Sequence, residues 1–371
     1  MQLSFFIPTE IIMDDNCVIK HAEKLKKLGN KALIVTGARS ARENGSLSDL
    51  CEALSSNGQS WAVFDKVMSN PTVDCVYEGA DMAKNESADF VVAVGGGSPM
   101  DASKAIALLA CQEIPRDKIF AGGYEKRLPL CCIPTTAGTG SEVTQYAILT
   151  NEAAQTKTSL AAPVLFPDIA MLDSKYLDFA PRKTMVNTVI DSLSHSVEGY
   201  LSVRANALSD ALALEAISII AGITDRLVDW TITHEDKDKL LYASTLGGMV
   251  IAHTGTTAVH SMGYSLTFFR DIDHGRANGL LLPEFLTYIE KERPDRIQPI
   301  IKAMGLKSTD DFGTLLEKLL GEREEITESE VINYSSIAIK AKNIPNCVVK
   351  PSEEDIRQLY RLSFGLPARE F

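Results

Sequence analysis

The chain has 371 residues, of which 45% are hydrophobic and 23% are charged. This composition is typical of a folded protein with a large core, and it excludes intrinsic disorder as a description of the whole chain. The net charge of −12 argues against nucleic-acid binding and against docking on an anionic membrane, because both need clustered Lys and Arg.

The cysteines and the N-terminal residues indicate the cellular compartment in which we expect the protein. Seven cysteines without a CxxC pair in a long chain indicate reduced thiols rather than a disulfide framework. The first residues lack the basic and apolar regions of a signal peptide, and no apolar run is long enough to span a bilayer. We therefore expect a cytoplasmic protein.

The first half of the chain alternates apolar runs with amphipathic stretches. The apolar runs predict buried strands at residues 31–36, 60–64, 89–94 and 130–133. Amphipathic stretches such as 73–84 and 100–111 predict intervening helices. Strand and helix in alternation predict a Rossmann-like parallel sheet with right-handed crossovers.

The second half has few β-branched runs and many helical patterns. The helical patterns cover residues 186–204, 210–223, 237–253, 281–289, 308–320 and 352–362. We therefore predict an α/β protein of two domains. Residues 1–177 would form an α/β domain, and residues 178–371 an all-helical domain.

A glycine-rich turn directly follows the third predicted strand and opens a helix. Gly95, Gly96 and Gly97 allow the backbone to approach a bulky anion. Ser98 suits the N-cap position, and Asp101 follows it at the spacing of a capping box. The free N–H groups and the helix dipole would then favour a pyrophosphate. The alternative is a tight turn before a well-capped helix.

Two further turns follow predicted strands. Residues 134–141 offer the hydroxyls of Thr135, Thr136 and Thr139, which suit a ribose or phosphates, although an ordinary connecting loop is the alternative. After the first strand, Gly37 supplies space where an acidic residue would favour NAD. Arg39 and Ser40 supply charge and a hydroxyl for a 2′-phosphate, so this turn favours NADP(H) over NAD(H), unless Arg39 is simply a surface residue.

Five of the six histidines fall between residues 195 and 274. Asp191 and His195 are four residues apart in a helical pattern, so both project from one face. With His260 and His274 they would supply one carboxylate and three imidazoles, which suits Fe²⁺ or Zn²⁺. The alternative is that each histidine is an ordinary interior or surface residue. Glu198 lies on the same helical face and would orient a ligand or remain solvated.

These motifs together resemble the iron-containing, metal-dependent alcohol dehydrogenase family. The motifs are Gly95-Gly-Gly-Ser-Pro-Met-Asp-Ala-Ser-Lys104, Pro134-Thr-Thr-Ala-Gly-Thr-Gly-Ser-Glu142, Asp191-Ser-Leu-Ser-His195 and His260 with His274-Gly-Arg-Ala-Asn278. They occur in the family's order, and the resemblance spans nearly the whole chain.

The resemblance implies roles for particular residues. It implies that Asp191, His195, His260 and His274 bind the metal, and that Lys157 joins the glycine turn, Asp101, Thr135 and Thr136 around the cofactor. It also implies that the α/β domain of residues 1–177 binds the dinucleotide, that the helical domain of residues 178–371 binds the metal, and that the protein is a homodimer. The chain departs from many members at Tyr264, where they carry a further histidine, and a phenol titrates far from neutral pH.

The sequence thus predicts an NADP(H)-preferring alcohol dehydrogenase or aldehyde reductase that acts on a small primary alcohol or aldehyde. A glycerol dehydrogenase or a dehydroquinate-synthase-like lyase on the same architecture is the first alternative. The lyase would need several basic residues near the ligands, and only Arg204, Arg270 and Arg276 are obvious candidates. A non-enzymatic metal or nucleotide sensor is the second alternative.

Overall fold

The computed structural model describes residues 3–367 of the chain. These residues divide into two compact units, one of them Phe6–Ala180 and the other residues 181–367 together with residues 3–5. The division between the two units falls after residue 180, and residues 3–5 group with the second unit. In the described part of the chain, no helix has both the length and the apolar character needed to cross a lipid bilayer.

A six-stranded parallel sheet forms the centre of the unit Phe6–Ala180. The strands of this unit are β1 (Glu10–Met13), β2 (Lys31–Thr36), β3 (Ser60–Phe64), β4 (Phe90–Gly95), β5 (Leu130–Pro134), β6 (Tyr146–Asn151), β7 (Thr156–Ala161) and β8 (Ile169–Leu172). β6 and β7 form an antiparallel hairpin, and the other strands lie in the order β1-β8-β5-β4-β2-β3. The predicted Rossmann-like parallel sheet is confirmed.

Helices cover both faces of this sheet. They are α1 (Cys17–Lys20), α2 (Ala22–Lys26), α3 (Ser40–Glu43), α4 (Ser46–Ser56), α5 (Val73–Asn85) and α6 (Gly97–Cys111). In β2, Leu33 and Val35 join the core formed with α5 and α6, whereas Ala32 and Ile34 join the core formed with α1 and α4. Burial on both faces explains why these strands are continuous apolar runs.

The strand register places three turns side by side. Thr36 at the end of β2 pairs with Val94, and Gly95 at the end of β4 pairs with Pro134 at the end of β5. The strand order reverses between β2 and β4. Ligands of open α/β sheets bind beyond the carboxyl ends of the strands at such a reversal, which makes these three turns the expected nucleotide site.

The second unit is built of helices, as predicted. They are α7 (Arg182–Tyr200), α8 (Ala207–Ala221), α9 (Thr224–Asp229), α10 (His234–Thr254), α11 (Ala258–Arg270), α12 (His274–Glu290), α13 (Pro294–Ala303), α14 (Thr309–Leu320), α15 (Glu328–Ala338) and α16 (Glu353–Ser363). α7 packs against α8, α10 and α12, and every residue from Val189 to Tyr200 is buried. Its buried Asp191 and Glu198 need charged or hydrogen-bonding partners, since unpaired buried carboxylates are costly.

Candidate metal and nucleotide sites

Three helices bring the four predicted metal ligands together. Asp191 and His195 lie one turn apart on α7, His260 lies on α11, and His274 is the first residue of α12. Asp191, His195 and His260 are buried, and their ligand atoms all lie within 4.8 Å of one another. The Nε2 atom of His274 is 3.7 Å from Oδ1 of Asp191, so the fourth predicted ligand lies beside this group.

The donor spacing suits a single divalent cation. Oδ1 of Asp191 is 3.9 Å from Nε2 of His195 and 3.7 Å from Nε2 of His260. Two ligands bound about 2.1 Å from one tetrahedral cation are about 3.4 Å apart, so these donors need to move by only a few tenths of an ångström. One carboxylate with imidazoles is also a donor set that Fe²⁺ and Zn²⁺ accept.

A close approach between α12 and α7 positions His274. A Cβ atom on Gly275 would lie 1.8 Å from the carbonyl oxygen of Asn187 and 3.0 Å from Cβ of Asp191. No other residue type fits that gap without moving one of the helices. His274 is the first residue of α12, so this close approach fixes its distance from Asp191 on α7.

Glu198 is the buried partner that orients His260. One of its carboxylate oxygens accepts hydrogen bonds from the backbone N–H and the hydroxyl of Thr257, at 2.8 Å and 2.7 Å. Its other oxygen accepts a hydrogen bond from Nδ1 of His260. Because Nδ1 carries the proton, the Nε2 lone pair of His260 faces Asp191 and is available to a metal.

The two buried carboxylates both stay ionised. Burial by itself would raise the pKa of Asp191, but the nearby imidazoles of His195, His274 and His260 outweigh it and lower the pKa to about 2. Burial opposes the ionised form of Glu198 as well, yet His260 and Thr257 lower its pKa. The site therefore presents fixed negative charge, as a cation requires.

Tyr264 lies against the site rather than in it. Its ring stacks on His274 with centroids 5.5 Å apart and an angle of 16° between the planes. It also meets His260 edge-on, with centroids 6.3 Å apart. Tyr264 thus contacts two of the four predicted ligands.

His253 is engaged elsewhere. Its ring stacks on Phe5 with centroids 3.8 Å apart, and its Nδ1 lies 2.9 Å from the carbonyl oxygen of Met249. These contacts agree with its exclusion from the predicted ligand set.

The helix α6 that follows the glycine turn does not have the predicted N-cap residue. α6 begins at Gly97 with Gly96 at the N-cap position, so Ser98 lies inside the helix and is not the cap. The hydroxyl of Ser98 accepts a hydrogen bond from the backbone N–H of Asn70 at 3.3 Å. Asp101 accepts a hydrogen bond from Ser141 at 2.7 Å instead of completing a capping box. The N–H groups of Gly97 and Ser98 at the start of α6 nevertheless suit a phosphate.

The glycines also make room for the second turn. A Cβ on Gly96 would lie 3.0 Å from Oγ1 of Thr136, and a Cβ on Gly97 would lie 2.5 Å from Cγ2 of Thr139. The backbone N–H of Thr135 donates to the carbonyl oxygen of Gly95 at 3.0 Å. The two turns therefore form one continuous surface, and the glycines are required for their packing whether or not a phosphate binds.

A fully buried lysine supports this surface. Nζ of Lys104 donates to Oγ of Ser141 at 2.7 Å, to Oγ1 of Thr144 at 3.1 Å and to the carbonyl oxygen of Tyr146 at 2.7 Å. Burial lowers the pKa of Lys104 and raises that of Asp101, while their mutual attraction opposes both shifts. The charge of Lys157 on β7 also favours ionised Asp101.

The turn after β2 is open. A Cβ on Gly37 would meet only the carbonyl oxygen of Val67, at 3.3 Å. Arg39 is 82% exposed and lies 3.4 Å from the carboxylate of Glu43, and Ser40 is exposed at the start of α3.

Asn278 also lies at the metal site, although no role was predicted for it. Its side-chain nitrogen lies 3.0 Å from Oδ1 of Asp191, 3.2 Å from Nε2 of His260 and 3.4 Å from Nε2 of His274. The signal that identifies it is its i+4 spacing from His274, which repeats the spacing of Asp191 and His195.

The comparisons with known proteins agree with this architecture. The model of the iron-containing alcohol dehydrogenase family matches residues 8–174, and the model of that family's C-terminal domain matches residues 185–364. Lactaldehyde reductase of Escherichia coli K12 is 33% identical over 293 residues, which cover 77% of this chain and 75% of that protein.

Whole-length relatives are also found. 1,3-Propanediol dehydrogenase of Klebsiella pneumoniae is 32% identical over 97% of this chain and 98% of that protein. The crystal structure of an iron-containing alcohol dehydrogenase from Thermotoga maritima is 37% identical and superposes with a TM-score of 0.91 over 98% of this chain and 99% of that chain. This chain therefore belongs to the iron-containing alcohol dehydrogenase family and is an oxidoreductase.

Proposed function

We propose that the chain is a metal-dependent alcohol dehydrogenase and aldehyde reductase that transfers a hydride between a small primary alcohol or aldehyde and NADP(H), used in preference to NAD(H). The observation that carries the proposal is the buried cluster of Asp191, His195 and His260 with His274 beside it. Fe²⁺ is the proposed cation, and Zn²⁺ fits the same donors. The homodimer and the cytoplasmic location belong to the same proposal.

Each group of residues has a distinct part in this reaction. When bound, the cation would polarise the substrate oxygen, and the nicotinamide would accept or supply the hydride. Asp191 and the three imidazoles hold the cation, and Glu198 keeps His260 in the binding tautomer. The alcohol proton leaves through Tyr264, water or a ribose hydroxyl, because position 264 carries no imidazole.

The proposed preference for NADP(H) rests on the turn after β2. An acidic residue at position 37 would accept a hydrogen bond from a ribose 2′-hydroxyl and repel a 2′-phosphate, but Gly37 provides neither effect. The exposed guanidinium of Arg39 and hydroxyl of Ser40 are suited to a 2′-phosphate, since arginine binds phosphate through paired hydrogen bonds. The ion pair with Glu43 is weak at that exposure.

The lyase alternative receives no support from the arginines. Arg270 pairs with Glu330 at 2.6 Å, and Arg276 pairs with Glu324 at 2.6 Å. Two of the three basic residues that would bind an anionic substrate are thus neutralised by carboxylates.

The test compares His260→Ala with His253→Ala. Metal content and NADPH oxidation with butyraldehyde are measured on anaerobically purified protein, and nucleotide binding is followed by NADPH fluorescence. We expect His260→Ala to lose bound metal and turnover while it still binds NADPH. His253 lies on α10 and stacks on Phe5, and His253→Ala should keep bound metal, turnover and NADPH binding.

Full turnover in metal-stripped His260→Ala would refute the proposed metal site. Tight metal and nucleotide binding without turnover in the wild-type protein would favour the sensor.

A further inference from the structure

We propose that Asn278 is a positioning residue of the metal site, whose side-chain amide holds the Asp191 carboxylate, beside His260 and His274, in the orientation that binds a cation. This inference rests on the proposed function, because it assigns a role toward the metal that the four ligands would hold.

The contacts of the amide nitrogen carry the argument. Nδ2 of Asn278 is 3.0 Å from Oδ1 of Asp191, 3.2 Å from Nε2 of His260 and 3.4 Å from Nε2 of His274. These are three of the four atoms that would bind the cation. An amide nitrogen carries two N–H groups and no available lone pair, so it donates to Oδ1 of Asp191, which keeps a further lone pair for a cation. The single Nε2 lone pair of each imidazole would pass from the amide to the cation when one binds.

The hydrogen-bond network also fixes which end of the amide faces the ligands. Glu198 accepts the Nδ1 proton of His260, so Nε2 of His260 is a hydrogen-bond acceptor. Oδ1 of Asp191 is an acceptor as well. An amide oxygen in place of Nδ2 would face acceptors alone, and the observed orientation is therefore the favourable one.

A glycine on the facing helix makes room for this amide. Gly263 lies on α11, three residues after His260, and a Cβ there would be 2.2 Å from Oδ1 of Asn278. Within residues 3–367, that buried oxygen has no hydrogen-bond partner. A buried oxygen without a partner is unfavourable, so the amide is held in place by what its N–H groups contact.

The consequence concerns the affinity for metal. Without the amide, the Asp191 carboxylate loses a hydrogen bond that holds its orientation. Residues that orient metal ligands typically change metal affinity by about 10–100-fold when they are replaced. We therefore expect a loss of that size although all four proposed ligands remain.

Two variants and one control test the role. Asn278→Leu removes the amide at similar volume, and Gly263→Ala keeps the amide but displaces it. Alanine favours helix more than glycine does, so a loss in Gly263→Ala cannot come from helix propensity. Gly313→Ala on α14 is the control, because its added methyl meets Cβ of Pro283 at an ordinary 3.6 Å.

The readouts are Zn²⁺ affinity by competition with a chromophoric chelator, the visible spectrum of the Co²⁺-loaded protein, and NADPH affinity. We expect Asn278→Leu to bind Zn²⁺ about 10–100-fold more weakly and Gly263→Ala to be weakened in the same direction. Both should show an altered Co²⁺ spectrum with unchanged NADPH affinity. Gly313→Ala should match the wild-type protein.

Two results would overturn the inference in distinguishable ways. Wild-type Zn²⁺ affinity and an unchanged Co²⁺ spectrum in either Asn278→Leu or Gly263→Ala would remove the positioning role and leave the proposed function standing. Failure of the wild-type protein itself to bind Zn²⁺ or Co²⁺ would instead refute the metal site and, with it, the proposed function.

Discussion

Replacement of Glu198 by glutamine tests whether the hydrogen bond from His260 to Glu198 controls how His260 would bind the metal. The change keeps the shape of the side chain but replaces one acceptor oxygen with an NH₂ donor. The carboxylate accepts from the backbone and hydroxyl of Thr257 and from Nδ1 of His260, and its side chain is completely buried. An NH₂ group at either oxygen position therefore faces a donor.

The magnitude follows from the two orientations open to the amide. If NH₂ faces Thr257, a buried donor loses its acceptor, which costs about 1–3 kcal/mol. If NH₂ faces His260, the ring must take the other tautomer, and its proton then occupies Nε2, the atom that would bind the metal. Both routes disfavour the metal-bound state, and we expect metal affinity to fall by about 10–100-fold.

Chelator competition with Zn²⁺ measures this loss directly. Glu215→Gln, an exposed glutamate on α8, is the matched control and should bind metal like the wild-type protein. NADPH affinity should not change in either variant. A Glu198→Gln protein that binds Zn²⁺ within about twofold of wild type, well below the expected range, would refute the argument that the carboxylate sets the tautomer of His260.

Three further predictions concern other parts of the molecule. Gly37→Asp fits because a Cβ at this position meets only one backbone oxygen, at 3.3 Å. This variant should shift the ratio of kcat/KM for NADH to kcat/KM for NADPH toward NADH by about tenfold or more. An unchanged ratio would contradict the proposed preference for NADP(H). Tyr264→Ala removes the ring that stacks on His274 and should weaken Zn²⁺ binding by about 2–10-fold, the contribution expected of one aromatic pair. Tyr264→Phe keeps the ring and should keep the Zn²⁺ affinity. Equal losses in the two variants would argue against a role for the stacking. Asp236→Asn should cost about 2 kcal/mol of unfolding free energy at neutral pH, since Arg226 lowers the pKa of Asp236 from 3.8 to about 2. Because the folded pKa is depressed, this contribution is complete above about pH 4 and is lost as the pH falls toward about 2, so denaturation curves of variant and wild type should converge in acid.

The central strands were predictable because each is buried on both faces. β2 and β3 have the predicted bounds, β4 is shifted by one residue at both ends, and β5 is one residue longer at its end. The edge strand β1 and the short β8 were missed, since four residues give too little pattern to separate a strand from a loop. The hairpin of β6 and β7 was also missed, because its Thr, Lys and Ser residues are only partly buried.

The metal site was predictable one helix at a time. The spacing of Asp191 and His195 places both on one face of α7, and this needs only helix geometry. Their meeting with His260 and His274 depends on how closely α7, α11 and α12 pack. That closeness depends on Gly275 against Asn187, a contact between distant parts of the sequence that no local pattern encodes.

Because the proposed nucleotide and metal residues lie in different units of the chain, we expect mutations to remove the binding of one ligand without affecting the other. The residues proposed for the nucleotide all lie in Phe6–Ala180, and those proposed for the metal all lie in residues 181–367, each unit with its own packed core. A substitution such as His260→Ala should therefore remove metal without loosening NADPH, and Gly37→Asp should alter the nucleotide without releasing metal. Turnover needs both ligands, so either change should lower it. A variant of one unit that changed the affinity of the other unit's ligand would show thermodynamic coupling, which must be reciprocal for the two ligands.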